Sequence, residues 1–74
     1  MVLKEVLMRL SPKKLEIITL LARGFTDKEI ALKLSISKRT VQTHVSSIIT
    51  ALNARNRVNA VALYMASHPK WKIK

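Results

Sequence analysis

From Thr26 to Leu52 the chain reads TDKEIALKLSISKRTVQTHVSSIITAL. Two helical stretches lie in it, divided at Ser35-Ile36-Ser37. The first opens on Thr26 with Glu29 three residues on, the pairing of a capping box, and turns Ile30, Ala31 and Leu34 to one side. The second, over about residues 38–52, sets Val41, Val45, Ile48, Ile49 and Leu52 at i, i+4, i+7, i+8 and i+11. At about 100° per residue these fall within roughly a third of the helix circumference. Opposite them lie Arg39, Thr43, Ser46 and Thr50, flanked by Gln42 and Ser47. An ordinary solvated face carries Glu and Lys. This one carries hydroxyls, an amide and an Arg, with no acid. A short helix, a tight turn and a longer helix with such an outer face read as a helix-turn-helix, the device that sets one helix into the major groove of DNA. Acids on that face would repel phosphate, so their absence is what groove insertion requires.

The flanking segments extend the pattern. Ser11-Pro12 is a helix start, with Ser as N-cap and Pro at the first helical position. The helix is expected to run to about Arg23 with Leu15, Ile18, Leu21 and Ala22 inward, and Gly24 to stop it in a left-handed conformation. Ile36 should plug the gap between the next two helices and Ser37 should cap the second of them. Asn53 can take a left-handed cap, and Asn56 can cap a fourth helix from Arg57 to about Ser67, with Pro69 blocking continuation. The expected division is a lead-in helix or linker stub over residues 1–10, a packed domain over 11–67 and a basic tail over 68–74.

Composition bounds the rest. The 74 residues suffice for one small domain, and about half are apolar. Phe25, Tyr64 and Trp71 are the only aromatics, so the core must be aliphatic. A single glycine and two prolines leave little material for hairpins, and the fold class expected is all-α. Fourteen Lys and Arg against four acids give a formal charge of +10, which points to a polyanionic partner, nucleic acid ahead of an anionic membrane. The absence of cysteine excludes disulfides and thiolate metal sites. No apolar run approaches the ~20 residues that span a bilayer, and Lys4, Glu5 and Arg9 break up the N-terminal apolar residues, so the default location is the cytoplasm.

Residues 10–61 resemble the LuxR-type (GerE-type) helix-turn-helix domain of bacterial transcription regulators. The matching pieces are LSP at 10–12, Glu16, LLARG at 20–24, KEIA at 28–31, Leu34, IS at 36–37, TV at 40–41, His44, Ile48, Leu52, Arg57 and AV at 60–61, in one register without a gap. The resemblance implies a compact four-helix bundle, with the third helix in the major groove and the fourth commonly at a dimer contact. By position it implies that Gln42, Thr43 and Ser46 read bases. It places Lys28, Arg39, Thr40, His44, Ser47 and Arg57 where contacts to the DNA backbone, or their supports, are expected. Lys38 joins them by its charge, as do Lys33 and Arg55. The chain departs from the family at Lys13-Lys14-Leu15-Glu16, at Asp27 for an asparagine, at Gln42 for a frequent lysine, and at Ala51 for a lysine.

On the fourth helix Ala60, Val61 and Tyr64 share the side that the family register turns to the core, while Val58, Ala62 and Met65, with Ala66 adjoining, form a second apolar stripe. A small domain has no need of two such stripes, and the second is expected to be a symmetric dimer contact. No catalytic, cofactor or metal site is expected: the histidines are His44 and His68, and no carboxylate cluster accompanies either. The reading is a sequence-specific DNA-binding transcription regulator that recognises inverted half-sites as a homodimer. Its expected partners are double-stranded DNA, a second copy and RNA polymerase, and no membrane. The rival readings are an interaction protein that pairs with and inhibits a full-length relative, and a sigma-like promoter-reading module.

Overall fold

The computed structural model describes residues 10–67. The expected lead-in helix, apart from Leu10, and the basic tail with His68 and Trp71 lie outside them. Four helices follow in order: α1 Pro12–Ala22, α2 Asp27–Leu34, α3 Lys38–Ala51 and α4 Arg57–Ala66. There is no strand among the described residues.

Each helix begins in the same way. The side chains of Ser11, Thr26, Ser37 and Asn56 accept from the amide N–H three residues on, at 3.3, 3.1, 3.0 and 2.8 Å. Each satisfies a donor that the first helical turn would leave unpaired. At α2 the capping box closes fully, because Glu29 Oε1 accepts from the Thr26 amide at 2.8 Å. At α4 the Asn59 side chain reaches further back, accepting from the Arg55 amide at 3.0 Å.

Three of the described helices also end alike. The chain turns through a positive φ at Gly24 (93°), Ser35 (57°) and Asn53 (53°). In each case the next amide reaches back five residues: Phe25 to the Leu20 carbonyl, Ile36 to Ala31 and Ala54 to Ile49, at 3.1, 3.0 and 2.9 Å. This closure satisfies carbonyls that the helix end strands. Gly24 and Asn53 behave as expected from their chemistry. Ser35 is the surprise, a residue with a Cβ held left-handed because Ile36 must turn back to pack against the core.

α3 packs on all three other helices, most extensively on α2. Ile17, Ile18, Ile30, Val41 and Ile48 are fully enclosed, and Leu10, Leu20, Ala22, Ala31, Val45, Leu52, Ala60 and Tyr64 complete the centre. Two expectations about α1 need correction. Ile17 and Leu20 are buried, whereas Leu15 and Leu21 are only half-buried at the margin. The segment is apolar at six of the eight positions from Leu15 to Ala22, so its periodicity could not choose a face. Leu10 is part of the core as well, so packing begins one residue before the expected boundary.

No polar or charged residue is buried among the described ones. The one polar group taken inside by a core residue is the Tyr64 hydroxyl, 3.0 Å from Thr19 Oγ1. Thr19 donates its own proton to the Leu15 carbonyl at 2.7 Å, so Tyr64 must be the donor in that pair. The bond ties α4 to α1 across 45 residues of sequence.

Candidate nucleic-acid interface

With Val41, Val45 and Ile48 buried, α3 presents Arg39, Gln42, Thr43, Ser46 and Thr50 to solvent. Its 14 residues span about 21 Å at ~1.5 Å per residue, and a helix of this kind fits a major groove about 12 Å wide. The first turn of α3 carries no acid and two cations, Lys38 and Arg39. Positive side chains at the positive end of a helix dipole oppose it, and an anion such as phosphate placed there reverses the sign.

The hydroxyls on this face are partly committed. Thr43 Oγ1 donates to the Arg39 carbonyl at 3.0 Å, leaving the side chain only acceptor lone pairs and a methyl for a partner. Thr40 Oγ1 lies 2.8 Å from Ser37 Oγ and so belongs to the cap. Gln42 and Ser46 are exposed, and His44 and Ser47 are half-buried along the edges.

Two further helices meet α3 at one ion pair. Arg57, the first residue of α4, grips Asp27, the first residue of α2, with two parallel bonds: Nη1 to Oδ1 at 2.7 Å and Nη2 to Oδ2 at 3.0 Å. The Asp27 side chain is 12% exposed and that of Arg57 42%. Arg57 beside it holds the Asp27 carboxyl below the usual range, against the opposing effect of burial. The amide of Gln42 and the charge of Lys38, both on α3, push the same way. Arg57 is raised in turn by its bond to Asp27. A cation at the start of α4 would oppose that dipole, and Asp27 offsets it while favouring its own helix start.

The sign of the acid response follows. Because the folded pKa of Asp27 lies below its ordinary value of 3.8, its contribution is present above that value and is lost as pH falls through the folded pKa. A bidentate charged bond with one half-exposed partner is worth about 1–2 kcal/mol after allowance for solvent screening. Thermal unfolding should therefore show Asp27→Asn less stable than the parent by about that much at pH 7, with the gap closing as pH falls below 3.8 and through the lowered folded pKa. Equal stability at pH 7 would remove the energetic role assigned to this bond.

The expected site residues thus divide. Gln42, Thr43 and Ser46 lie exposed on one helix, with Lys38, Arg39 and Thr40 at its start and His44 and Ser47 at its margins. Lys28 is exposed beside Asp27 at the start of α2. Arg57 is held as a support. Lys33 sits over the Phe25 ring, 5.5 Å from its centroid. On α4, Val58 is 75% exposed, and Ala62 and Ala66 are exposed. Met65 departs from that stripe: it is half-buried and packs against the core. Val58 also borders a shallow groove lined by Leu21, Gly24, Phe25 and Val61. The residue that sequence reasoning passed over is Asp27, noted only as a departure from the family pattern. Its one signal was an acid at the first position of α2, where the helix dipole favours it, in a strongly basic chain.

Among the described residues no group of three or more His, Cys, Asp or Glu could hold a metal ion, and no helix is long and apolar enough to cross a membrane.

The family described as "Bacterial regulatory proteins, luxR family" matches residues 8–64. The nitrate/nitrite response regulator protein NarP of Escherichia coli (strain K12) is 38% identical over 56 residues, 76% of this chain and 26% of the relative. The response regulator protein VraR of Staphylococcus aureus (strain Mu3) is 39% identical over 59 residues, 80% of this chain and 28% of the relative. VraR of Staphylococcus epidermidis matches to the same extent. The chain spans about a quarter of the length of these relatives. With the four-helix, all-α architecture in place and the match running through every one of its helices, the chain belongs to the luxR family of bacterial regulatory proteins.

Proposed function

We propose that this chain is the DNA-reading unit of a bacterial, cytoplasmic transcription regulator, with α3 lying in the major groove. The observation that carries the reading is the exposed, acid-free front of α3, seated on a buried aliphatic back and bordered by cations. In this reading Gln42, Thr43 and Ser46 meet base edges. Lys28, Lys38, Arg39, Thr40, His44 and Ser47 meet the phosphate backbone, and Arg57 supports them through Asp27. Two copies pair through α4 at Val58, Ala62 and Ala66, with Met65 at the margin, and so meet two inverted half-sites. Gene control follows from binding near a promoter, where RNA polymerase is the further partner. The relatives named above are response regulators, and this chain corresponds to the portion of them that it matches.

The test is selection of bound duplexes from random DNA, followed by salt titration. A two-fold symmetric motif is expected, with log K falling linearly against log salt at about 0.9 per phosphate contacted. Gln42→Ala should flatten the preference at one base pair of each half-site, costing about 1–3 kcal/mol of discrimination there. A motif without symmetry would remove the dimer, and failure to enrich any sequence would remove the reading as a whole.

A further inference from the structure

A basic side chain raises affinity for a duplex only where its charge is free to meet phosphate. Arg57 does not have that freedom. Its Nη1 and Nη2 atoms donate in parallel to Oδ1 and Oδ2 of Asp27, at 2.7 and 3.0 Å. The carboxylate is the more enclosed partner, its side chain 12% exposed against 42% for Arg57. Arg57 makes no other hydrogen bond among the described residues, and the two charges sum to zero. Lys28, Lys38 and Arg39 differ in both respects: they are exposed, and none forms an ion pair among the described residues.

The pair borders the cations assigned to phosphate. Asp27 is followed directly by exposed Lys28 at the start of α2. Lys38, at the start of α3, is close enough for its charge to act on the Asp27 carboxyl. A guanidinium offers five N–H donors in a planar fork that matches phosphate as well as carboxylate. Arg57 thus has the chemistry for a phosphate and the exposure to reach one. What opposes it is competition. An arriving phosphate must displace, or lie beside, a carboxylate already held through both oxygens. A neutral pair releases no counterion from DNA, whereas an unpaired guanidinium on a phosphate releases about 0.9.

We propose that Asp27 withholds Arg57 from DNA: the parallel grip between the starts of α2 and α4 makes a neutral unit of a guanidinium that would otherwise take a phosphate, and so lowers affinity for duplexes of every sequence. The inference rests on the DNA-reading role given above.

The experiment compares the parent chain, Asp27→Asn and the double variant Asp27→Asn with Arg57→Gln, on the selected duplex and on a scrambled one, over a salt series. Circular dichroism at the binding temperature establishes that each is folded, and the double variant leaves neither charge unpaired. Asp27→Asn, although the less stable protein, is expected to bind both duplexes about threefold or more tighter at low salt, with a log–log salt slope steeper by about 0.9. The double variant is neutral at this place again and should return to the parent's affinity and slope. If both variants gain alike, Asp27 acts by its own charge and Arg57 is not withheld. If neither departs from the parent, the pair takes no part in binding. Weakening of folded Asp27→Asn on both duplexes would make the pair an aid to binding, the reverse of the proposal. In each of these three outcomes the inference falls, while the DNA-reading role stands as long as the parent prefers the selected duplex. A parent without that preference removes the role and this inference with it.

Discussion

Replacing Ile48 with Ala lowers the melting temperature by about 10–25 °C, the largest stability effect expected of a single conservative change in this chain. Ile48 is 1% exposed and lies on the back of α3, in the cluster that includes Ile17, Ile18 and Ile30. Removing three carbons forfeits their transfer free energy and leaves a void that rigid helices fill poorly, at about 2–5 kcal/mol. A chain of this length holds roughly 4–10 kcal/mol in total, so most of its margin disappears. The same change reaches the proposed DNA surface indirectly, because the front of α3 exists only while its back is seated. Binding should weaken in proportion to the folded fraction and recover on cooling or at excess duplex, since a ligand that binds only the folded form pulls the equilibrium back. Calorimetry with and without duplex checks both halves. A fall of less than about 5 °C would mean that the void collapses or that Ile48 is not enclosed.

Ser46→Glu has the opposite profile. It weakens binding to the selected duplex by about 100-fold or more and leaves folding almost untouched. Ser46 is exposed on the acid-free front, in the middle of α3. With α3 in the groove as proposed, a carboxylate there meets phosphate and base acceptors at short range, and like charges so placed cost several kcal/mol, each 1.4 kcal/mol being about a factor of ten. Glutamate is a better helix former than serine, and an exposed site carries little packing, so stability should move by less than about 0.5 kcal/mol. Fluorescence anisotropy on the duplex, alongside thermal unfolding, separates the two quantities. Unchanged binding would show that this face does not enter the groove.

The two changes lie two residues apart on one helix, which is why so much of the domain was readable from α3 alone. Its apolar spacing fixed the seated side, and its hydroxyl-and-amide spacing fixed the open one. The caps were equally legible: Ser11, Thr26, Ser37 and Asn56 act within three residues of themselves, and local chemistry is what a linear chain displays. What failed was either degenerate or distant. The run around Ile17 and Leu20 is apolar nearly all round and carries no face of its own. Ser35 takes its left-handed turn from the packing of Ile36, not from any preference of serine. Met65 leans on the core although its spacing matched the outer stripe. Asp27 and Arg57 meet across 30 residues, and nothing in either neighbourhood announces the other.

The oily centre of the described residues, with the Tyr64–Thr19 hydroxyl pair at its edge, has a practical corollary. Sodium chloride has almost no purchase on such an interior, since ionic strength screens charges and leaves hydrocarbon contacts alone. Brine that strips the molecule from immobilised duplex should do so without melting it, and desalting should restore the complex in full over repeated cycles.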